Sequence, residues 1–239
     1  MAIQTAQQWF STSLGQYIVD SEFKYFDQVV ANIFGYNAIQ MGMPQYDFLR
    51  TNRMPLRFSV GPERENALIS VCDHLPIAGD TIDLVIVPHV LEFNENPHQI
   101  LREVYRILIP EGHVVISGFN PFSLWGLQHY FVSSRDEFPW NGNFIALPRL
   151  KDWLKLFNFE MKGGKLCCYA PPFKQENLRK RFTFMEDAGD RWWPISGGVY
   201  FLHAVKHKYG MRIIKPGWKN SLVGKKKIAA ATQRSKPDG

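Results

Sequence analysis

The most constraining feature of the sequence is a strand–helix–strand pattern over residues 82–117. Ile82–Val87 is an apolar run of strand length, and His113–Ser117 is a second run, rich in β-branched residues. Residues 96–109 lie between them, begin with an Asn-Pro pair suited to a helix start, and continue with an apolar stripe. Parallel neighbours in a sheet need such a crossover, so the pattern predicts two parallel strands joined by a helix.

Further apolar segments of strand and helix length surround this unit. Strands are predicted at 38–43, 54–60, 67–72, 165–169 and 198–205, and helices at 23–33, 148–157 and 175–188. Gly189 is predicted to end the last helix, and Glu22 is placed among the polar residues between the apolar positions of the first. The pattern therefore predicts an α/β protein with a doubly wound, mainly parallel sheet, N-terminal helices and an aromatic-rich insertion at 119–144.

The charge distribution separates the end of the chain from the rest. Residues 219–239 carry six basic residues and one acidic residue, 6 − 1 = +5, out of a net charge of +6. We predict an N-terminal helical segment at 1–34, an α/β domain at 35–210, and an extension at 211–239 with a disordered basic tail. The nearly neutral body argues against a nucleic-acid partner. The tail itself is interpreted as a solvated terminus, with nucleic acid or an anionic membrane as alternative contacts.

Composition narrows the class of protein. Cys72, Cys167 and Cys168 form an odd set with two adjacent members, which argues against a secreted disulfide framework. The first twenty residues lack the pattern of a signal peptide, and no apolar run is long enough to span a bilayer, so a cytoplasmic location is expected. No cluster has metal-ligand spacing, and nothing in the sequence indicates an oligomeric state.

The central region contains a series of short motifs. In chain order they are Leu75-Pro76, Ile82-Asp83, Val90-Leu91-Glu92, Leu101-Arg102-Glu103 and Pro110-Glu111-Gly112. With these motifs the stretch resembles the class I S-adenosylmethionine-dependent methyltransferases, within them the small-molecule branch that includes biotin- and quinone-pathway enzymes. The resemblance is firm over about residues 66–120, looser over 35–205, and implies a Rossmann-like fold, S-adenosylmethionine as cofactor and a small-molecule acceptor.

The methyl-donor loop departs from the family pattern. In the family a glycine-rich loop follows the first strand, because glycines let the backbone close on the donor. Here Gly42 is the one glycine retained, Pro44 and Tyr46 stand where the other two would fall, and Gln40 replaces the usual acidic residue. Proline fixes φ and removes an N–H, so the loop cannot keep the family shape. The short segment that follows predicts the loss of at least one helix.

The resemblance also implies candidate donor contacts after the next three strands. Glu63 or Glu65 would bind the ribose hydroxyls, although either is equally interpreted as an exposed loop charge. Asp73, followed by His74, lies near the adenine position, with a simple turn residue as the alternative. His89 follows the fourth strand, either as a ring beside the donor or acceptor or as a helix-start residue with no catalytic task. These residues would share the carboxyl edge of the sheet.

Two functional hypotheses follow. The first is methyl transfer from S-adenosylmethionine to a small, partly apolar molecule, with no catalytic residue assigned. The second is a non-catalytic binding protein that retains the fold after losing affinity for the donor, because fold alone does not establish function. The aromatic-rich insertion would line an acceptor pocket under the first hypothesis, or form ordinary core packing.

Deleting the basic tail tests the proposed domain organisation. Removal of residues 219–239 is expected to change the melting temperature by less than about 2 °C, because the segment has few bulky apolar groups to dock on the domain. Differential scanning calorimetry of the full and shortened chains measures this. A drop of many degrees would show instead that the tail packs on the folded domain.

Overall fold

The computed structural model describes residues 6–131, 137–173, 175–182, 184–193 and 195–207. The extension predicted at 211–239 lies outside these residues, so its disorder stays a prediction. The helices are α1 (Ala6–Phe10), α2 (Ser13–Val30), α3 (Pro97–Ile107), α4 (Leu124–Phe131), α5 (Leu147–Leu156), α6 (Glu176–Arg181) and α7 (Phe184–Trp192), with a 3₁₀ turn at Leu91–Phe93. The strands are β1 (Asn37–Met41), β2 (Leu56–Gly61), β3 (Leu68–Ile69), β4 (Ile82–Pro88), β5 (Leu108–Phe119), β6 (Phe159–Cys167) and β7 (Val199–Lys206).

The seven strands form one sheet in the order β3-β2-β1-β4-β5-β7-β6. Strands β1 to β5 pair in parallel, and β7 lies antiparallel between β5 and β6. The predicted unit is confirmed, because β4 and β5 are parallel neighbours and α3 connects them. The mainly parallel sheet with flanking helices is therefore the α/β fold that the sequence predicted.

Both faces of the central strands are buried. Val85 and Val87 of β4 pack in a core that also contains apolar residues of α3 and α5. Leu84 and Ile86 point to the opposite face, where α2 contributes Ile18, Phe26 and other residues to a second core. Because parallel strands covered on both faces bury every side chain, β4 reads as a continuous apolar run rather than an alternating one.

The connections between β1 and β4 are reduced, as the short sequence predicted. In the described residues no α-helix lies between these strands. Side chains form hydrogen bonds with the backbone carbonyls there instead. Arg57 Nη1 donates to the carbonyls of Leu49 and Asn52 at 2.8 and 2.9 Å, and Asn52 Nδ2 donates to those of Val30 and Ile33.

Several predicted boundaries were wrong. The strand predicted at 165–169 is β6, which begins at Phe159 and ends at Cys167, and the helix predicted at 23–33 is α2, which begins at Ser13 and ends at Val30. The strand predicted at 67–72 is limited to Leu68–Ile69, because it is an edge strand that pairs with only the last two residues of β2. The helix predicted to reach residue 109 ends at Ile107, because Leu108 already pairs with Ile82 as the first residue of β5. Strand β5 is correspondingly longer than the predicted run.

The helix predicted at 175–188 is two helices, α6 and α7, and Gly189 does not end the second. Helix α7 continues through Gly189 to Trp192. A Cβ atom at Gly189 would lie 2.3 Å from Cγ of the Tyr169 ring, closer than any real contact. The glycine therefore serves close packing against Tyr169 rather than helix termination.

Candidate functional site

Gly42 ends the first strand in a conformation that favours glycine. Its φ is +75°, and the following Met43 also has positive φ, at 49°. The Gly42 N–H donates to the Val60 carbonyl at 2.8 Å, which ties the loop to the end of β2. A Cβ atom at Gly42 would lie 3.0 Å from Cγ2 of Val90, so the glycine also permits close approach to the end of β4.

Gln40 holds the altered loop together from within. Its Nε2 lies 3.1, 3.0 and 2.8 Å from the carbonyl oxygens of Gly42, Met43 and Tyr46. Its Oε1 accepts the N–H of Phe48 at 3.0 Å. The buried amide thus satisfies backbone groups that a helix would otherwise satisfy. In this arrangement Gln40 shapes the loop.

Glu63 lies just beyond the second strand with its carboxylate folded back over the strand end. Oε2 accepts a hydrogen bond from Nδ2 of Asn66 at 2.8 Å. A Cβ atom at Gly61 would lie 2.7 Å from the same oxygen. The Glu63 residue is exposed, whereas Asn66 is buried, and Asn66 Oδ1 has no hydrogen-bond partner among the described residues. An exposed carboxylate, held by a buried amide, therefore lies at the carboxyl end of β2.

Asp73 and His74 lie on the turn after the third strand. Asp73 is half-buried and its Oδ1 lies 3.3 Å from Nδ1 of the exposed His74. The turn is anchored to α3, because the Leu75 N–H donates to Glu103 Oε2 at 3.1 Å and Arg106 donates to the Leu75 carbonyl at 3.0 Å. The hydrogen bond from Arg106 lowers the pKa of Glu103, so the anchor carries charge at neutral pH.

His89 follows β4, but its side chain turns under the surface instead of toward the sheet edge. It has a φ of 50°, which is uncommon for a residue other than glycine. Its Nδ1 lies 2.7 Å from Glu92 Oε1, and its Nε2 lies 3.2 Å from Glu22 Oε1 without hydrogen-bond geometry. Ser117 Oγ donates to the same Glu22 oxygen at 2.6 Å. All these side chains are buried, beneath the rings of Phe10 and Phe119.

This buried cluster fixes the charge of His89. Burial by itself lowers the pKa of the imidazole, but attraction to the two carboxylates outweighs it and raises the pKa to about 10. His89 is therefore an imidazolium at neutral pH and has no lone pair with which to accept a proton. Glu22 Oε2 and Glu92 Oε2 have no hydrogen-bond partner among the described residues. His89 holds charge in the core rather than acting as a general base.

Sequence reasoning missed Glu22 as a core residue. It was placed on the polar side of the N-terminal helix, but it is fully buried against the sheet. The signal was available, because Ile18, Glu22 and Phe26 are spaced four residues apart and therefore share one face of α2. Glu92 and Ser117 were not singled out at all, since only the fold brings them to His89.

The candidate residues form a rim and a buried cluster. Gly42, Glu63 and the Asp73–His74 pair follow β1, β2 and β3, which are neighbours in the sheet, so they share its carboxyl edge. Gln40 lies beneath this rim. His89 belongs to the buried cluster on the α2 face. The positions of Gly42, Glu63, Asp73 and His74 agree with the predicted arrangement, whereas His89 lies beneath the surface.

Two cavities flank these residues. One of about 280 Å³ lies beside the β1 loop, and Gln40 and Ser59, which are partners in the sheet register, line it with Pro44 and Tyr46. The other, of about 250 Å³, is mostly apolar and is lined by residues of the α1–α2 junction, α4, and the segments near Trp140 and Pro172. The rings of the predicted aromatic insertion lie in two environments, the core and the second cavity. Most of its buried rings pack in the core, and Trp140 also faces this second cavity.

The sheet order and its antiparallel β7 define the fold of class I methyltransferases. Residues 57–116, from β2 to β5, match the family model described as a methyltransferase domain. The match covers the segment whose motifs carried the resemblance. A stretch of 88 residues is 43% identical to the uncharacterized protein YafS of Escherichia coli K12, and it covers 37% of each chain.

Solved methyltransferases share the fold over most of this chain. A S-adenosylmethionine-dependent methyltransferase of Thermotoga maritima superposes with a TM-score of 0.57 and 16% identity, covering 80% of this chain and 97% of its own. Geranyl diphosphate C-methyltransferase of Streptomyces coelicolor, solved with Mg²⁺, geranyl diphosphate and S-adenosylhomocysteine, gives a TM-score of 0.55 and 9% identity over 80% of each chain. At such identities the likeness establishes the fold and leaves the substrate open.

Replacing Gln40 tests its role in the loop. Gln40→Leu keeps the approximate volume but leaves one N–H and three carbonyls of the loop without their partner, so the free energy of unfolding is expected to fall by roughly 2–4 kcal/mol. Urea denaturation measures this. Gln45→Leu, at an exposed position of the same loop, is the control and should stay within about 0.5 kcal/mol. Equal effects of the two changes would contradict the role assigned to Gln40.

The buried cluster predicts a dependence of stability on alkaline pH. Because folding raises the His89 pKa from 6.5 to about 10, its stabilisation is complete below about pH 6.5 and is lost as the pH rises through about 10. Glu22→Gln removes one carboxylate, so the loss should move to lower pH and stability at pH 8 should drop by roughly 3 kcal/mol. Denaturation across this range tests it, with the exposed Glu95→Gln as control. Superimposable profiles of wild type and Glu22→Gln would contradict the account.

Proposed function

We propose that this chain binds S-adenosylmethionine at the carboxyl edge of its sheet and transfers the methyl group to a small, partly apolar molecule. The observation that carries the proposal is the pair of groups at the ends of β1 and β2. Gly42 has a left-handed backbone conformation where the family's donor loop begins, and the exposed Glu63 carboxylate lies just beyond the end of the neighbouring strand β2. The methyltransferase domain match over residues 57–116, which include Glu63 and Asp73, supports this assignment.

The residues of the rim fit the parts of the donor. A backbone without Cβ at Gly42 leaves room for the methionine portion to approach the end of β1. The exposed Glu63 carboxylate is an acceptor, which ribose hydroxyls require as donors, and the buried Asn66 amide holds it in place. Asp73 and His74 provide further polar groups after β3, where the adenine would lie. Gln40 would act through the loop shape, and His89 through the packing of the β4 end.

The apolar cavity between Trp9 and Trp140 fits the acceptor. Its volume of about 250 Å³ is near the lower limit for a ligand pocket, and Leu14 and Pro172 add to its apolar lining. Trp9 also packs on Phe119, the last residue of β5, at a ring separation of 6.2 Å. The cavity therefore adjoins the strand beside β4, on the side where α1 and α2 cover the sheet.

Methyl transfer requires mainly that the protein positions the reactants and excludes water. When bound, S-adenosylmethionine supplies a methyl group already activated by its sulfonium charge, and the electron pair of the broken C–S bond stays on sulfur. The protein would hold the acceptor in line with that bond and exclude water. Helices α1 and α2 and the aromatic core beneath them would provide the exclusion. Because His89 is protonated at neutral pH, any base for a weak nucleophile has to come from another group.

One specific observation favours the non-catalytic alternative. The carbonyls of Gly42 and Met43 are held by Gln40, and Pro44 follows them, so less of the loop backbone is available to a ligand than in a loop of three glycines. Under this alternative the fold and the cavities remain, but donor affinity is lost. Binding of the donor and of its product separates the two functions.

Isothermal titration calorimetry with S-adenosylmethionine and S-adenosylhomocysteine tests the proposal on the full chain. Gly42→Val should weaken binding by at least about tenfold, because a β-branched side chain disfavours positive φ and contacts Val90. Glu63→Gln should weaken binding by about tenfold, the value of a hydrogen bond to a charged group. Asp73→Ala should weaken it without unfolding the protein.

A matched glycine provides the control. A Cβ atom at Gly163 meets nothing within 4 Å, so Gly163→Val should leave binding unchanged. Cooperative melting of each variant shows that it is folded. If the folded wild type binds neither compound at millimolar concentration, the non-catalytic alternative replaces the enzyme. If it binds but Glu63→Gln and Gly42→Val bind equally well, the site lies elsewhere.

A further inference from the structure

An exposed apolar surface lies beyond the carboxyl end of β5, and it does not include the rim residues that follow β1, β2 and β3. Its large side chains come from α4 and the segment just before it, and from the end of α7 and the segment just after it. Each is between 53 and 75% exposed. We call it the aromatic patch, and it consists of Phe122, Leu127, Tyr130, Phe131, Trp192, Trp193 and Ile195.

The two parts of the patch are contiguous in space. Phe122, Leu127 and Tyr130 line the same open groove as Trp193 and Ser196. The groove has a volume of about 770 Å³ and a mainly apolar lining. Proteins seldom leave contiguous apolar surfaces of this kind in water unless another surface covers them. Helix α4 buries Trp125 on its other side, so it is apolar on both faces and needs a second apolar contact.

We propose that the aromatic patch docks on an anionic lipid surface. Trp, Tyr and Phe concentrate at membrane interfaces, because each combines an apolar body with either a polar edge or a polarisable ring. Helix α7, which ends in the patch, carries the exposed Arg191 together with Glu186, Asp187 and Asp190, so the positive charge of the chain comes from residues 219–239 rather than from the patch itself. No helix in the described part of the chain could cross a membrane, so the contact would be peripheral.

The net charge of the chain favours an anionic lipid surface over a second copy of the chain as the partner of the patch. An apolar anchor and a basic segment in the same chain are the two-part signal of peripheral lipid binding, and by sequence residues 219–239 carry +5 of the net +6. A second copy brings the same charge and is repelled, whereas anionic lipid is attracted. Single-stranded nucleic acid stacks on aromatic rings but gains nothing from aliphatic side chains such as Leu127 and Ile195. The proposal does not depend on methyl transfer.

Vesicle flotation of the full chain tests the proposal. The protein is expected to bind vesicles of mixed phosphatidylcholine and phosphatidylglycerol and to bind phosphatidylcholine alone at least about tenfold more weakly. The double change Trp192→Ser and Trp193→Ser should weaken binding to the mixed vesicles by at least about tenfold. Changing Lys225, Lys226 and Lys227 to Gln should weaken it several-fold and reduce its dependence on salt.

The matched control is the double change Phe34→Ser and Tyr36→Ser, two equally exposed rings at the opposite edge of the sheet. It should leave vesicle binding unchanged. Quenching of tryptophan fluorescence by brominated lipid provides a second measurement, and it should fall when Trp192 and Trp193 are replaced. Absence of binding to anionic vesicles, or an equal loss in the control, overturns the proposal. So does a self-association, or an affinity for a single-stranded oligonucleotide, that disappears with the two tryptophans.

Discussion

The buried contact of His89 with Glu22 and Glu92 is the constraint on which the arrangement of this protein depends. It joins four parts of the chain, since Glu22 lies on α2, His89 follows β4, Glu92 lies on the 3₁₀ turn, and Ser117 of β5 donates to Glu22. The Glu92 carboxylate also accepts the Phe119 N–H at 3.1 Å. Breaking one contact of such a cluster leaves a charge buried without its partner, which is costly. Helix α2 is thereby held across β4 and β5, and β4 is the neighbour of β1, the first of the three strands whose carboxyl ends form the rim.

A second polar core replaces the helices that are missing between β1 and β4. Gln40 and Asn52 are buried, and each bonds to several backbone groups of the connections they support. The rim is therefore built on loops with internal polar cores, next to a sheet that is covered on both faces. This division explains how the chain keeps the methyltransferase fold while its donor loop differs from the family pattern.

Much of the fold was predictable, because it follows from periodicity along the chain. The β4–α3–β5 unit, the parallel sheet and the lost helices were all predicted from apolar runs, an Asn-Pro pair and short connections. The boundary of β3 and the continuation of α7 through Gly189 were not, because the first depends on pairing with β2 and the second on packing against Tyr169. The break between α6 and α7 was not predicted either. The rim residues were found through motifs. Glu22 and Asn66 were missed, since their importance arises from burial, which spacing alone does not determine.

The central claim is that the carboxyl edge formed by β1, β2 and β3 binds the methyl donor. It is tested most directly by backbone amide shifts in an NMR titration with S-adenosylhomocysteine. The account predicts saturable shifts at Gly42, in the turn from Glu63 to Asn66 and at Asp73, with none in the aromatic patch. Shifts confined to other surfaces, or none at millimolar ligand, would contradict it.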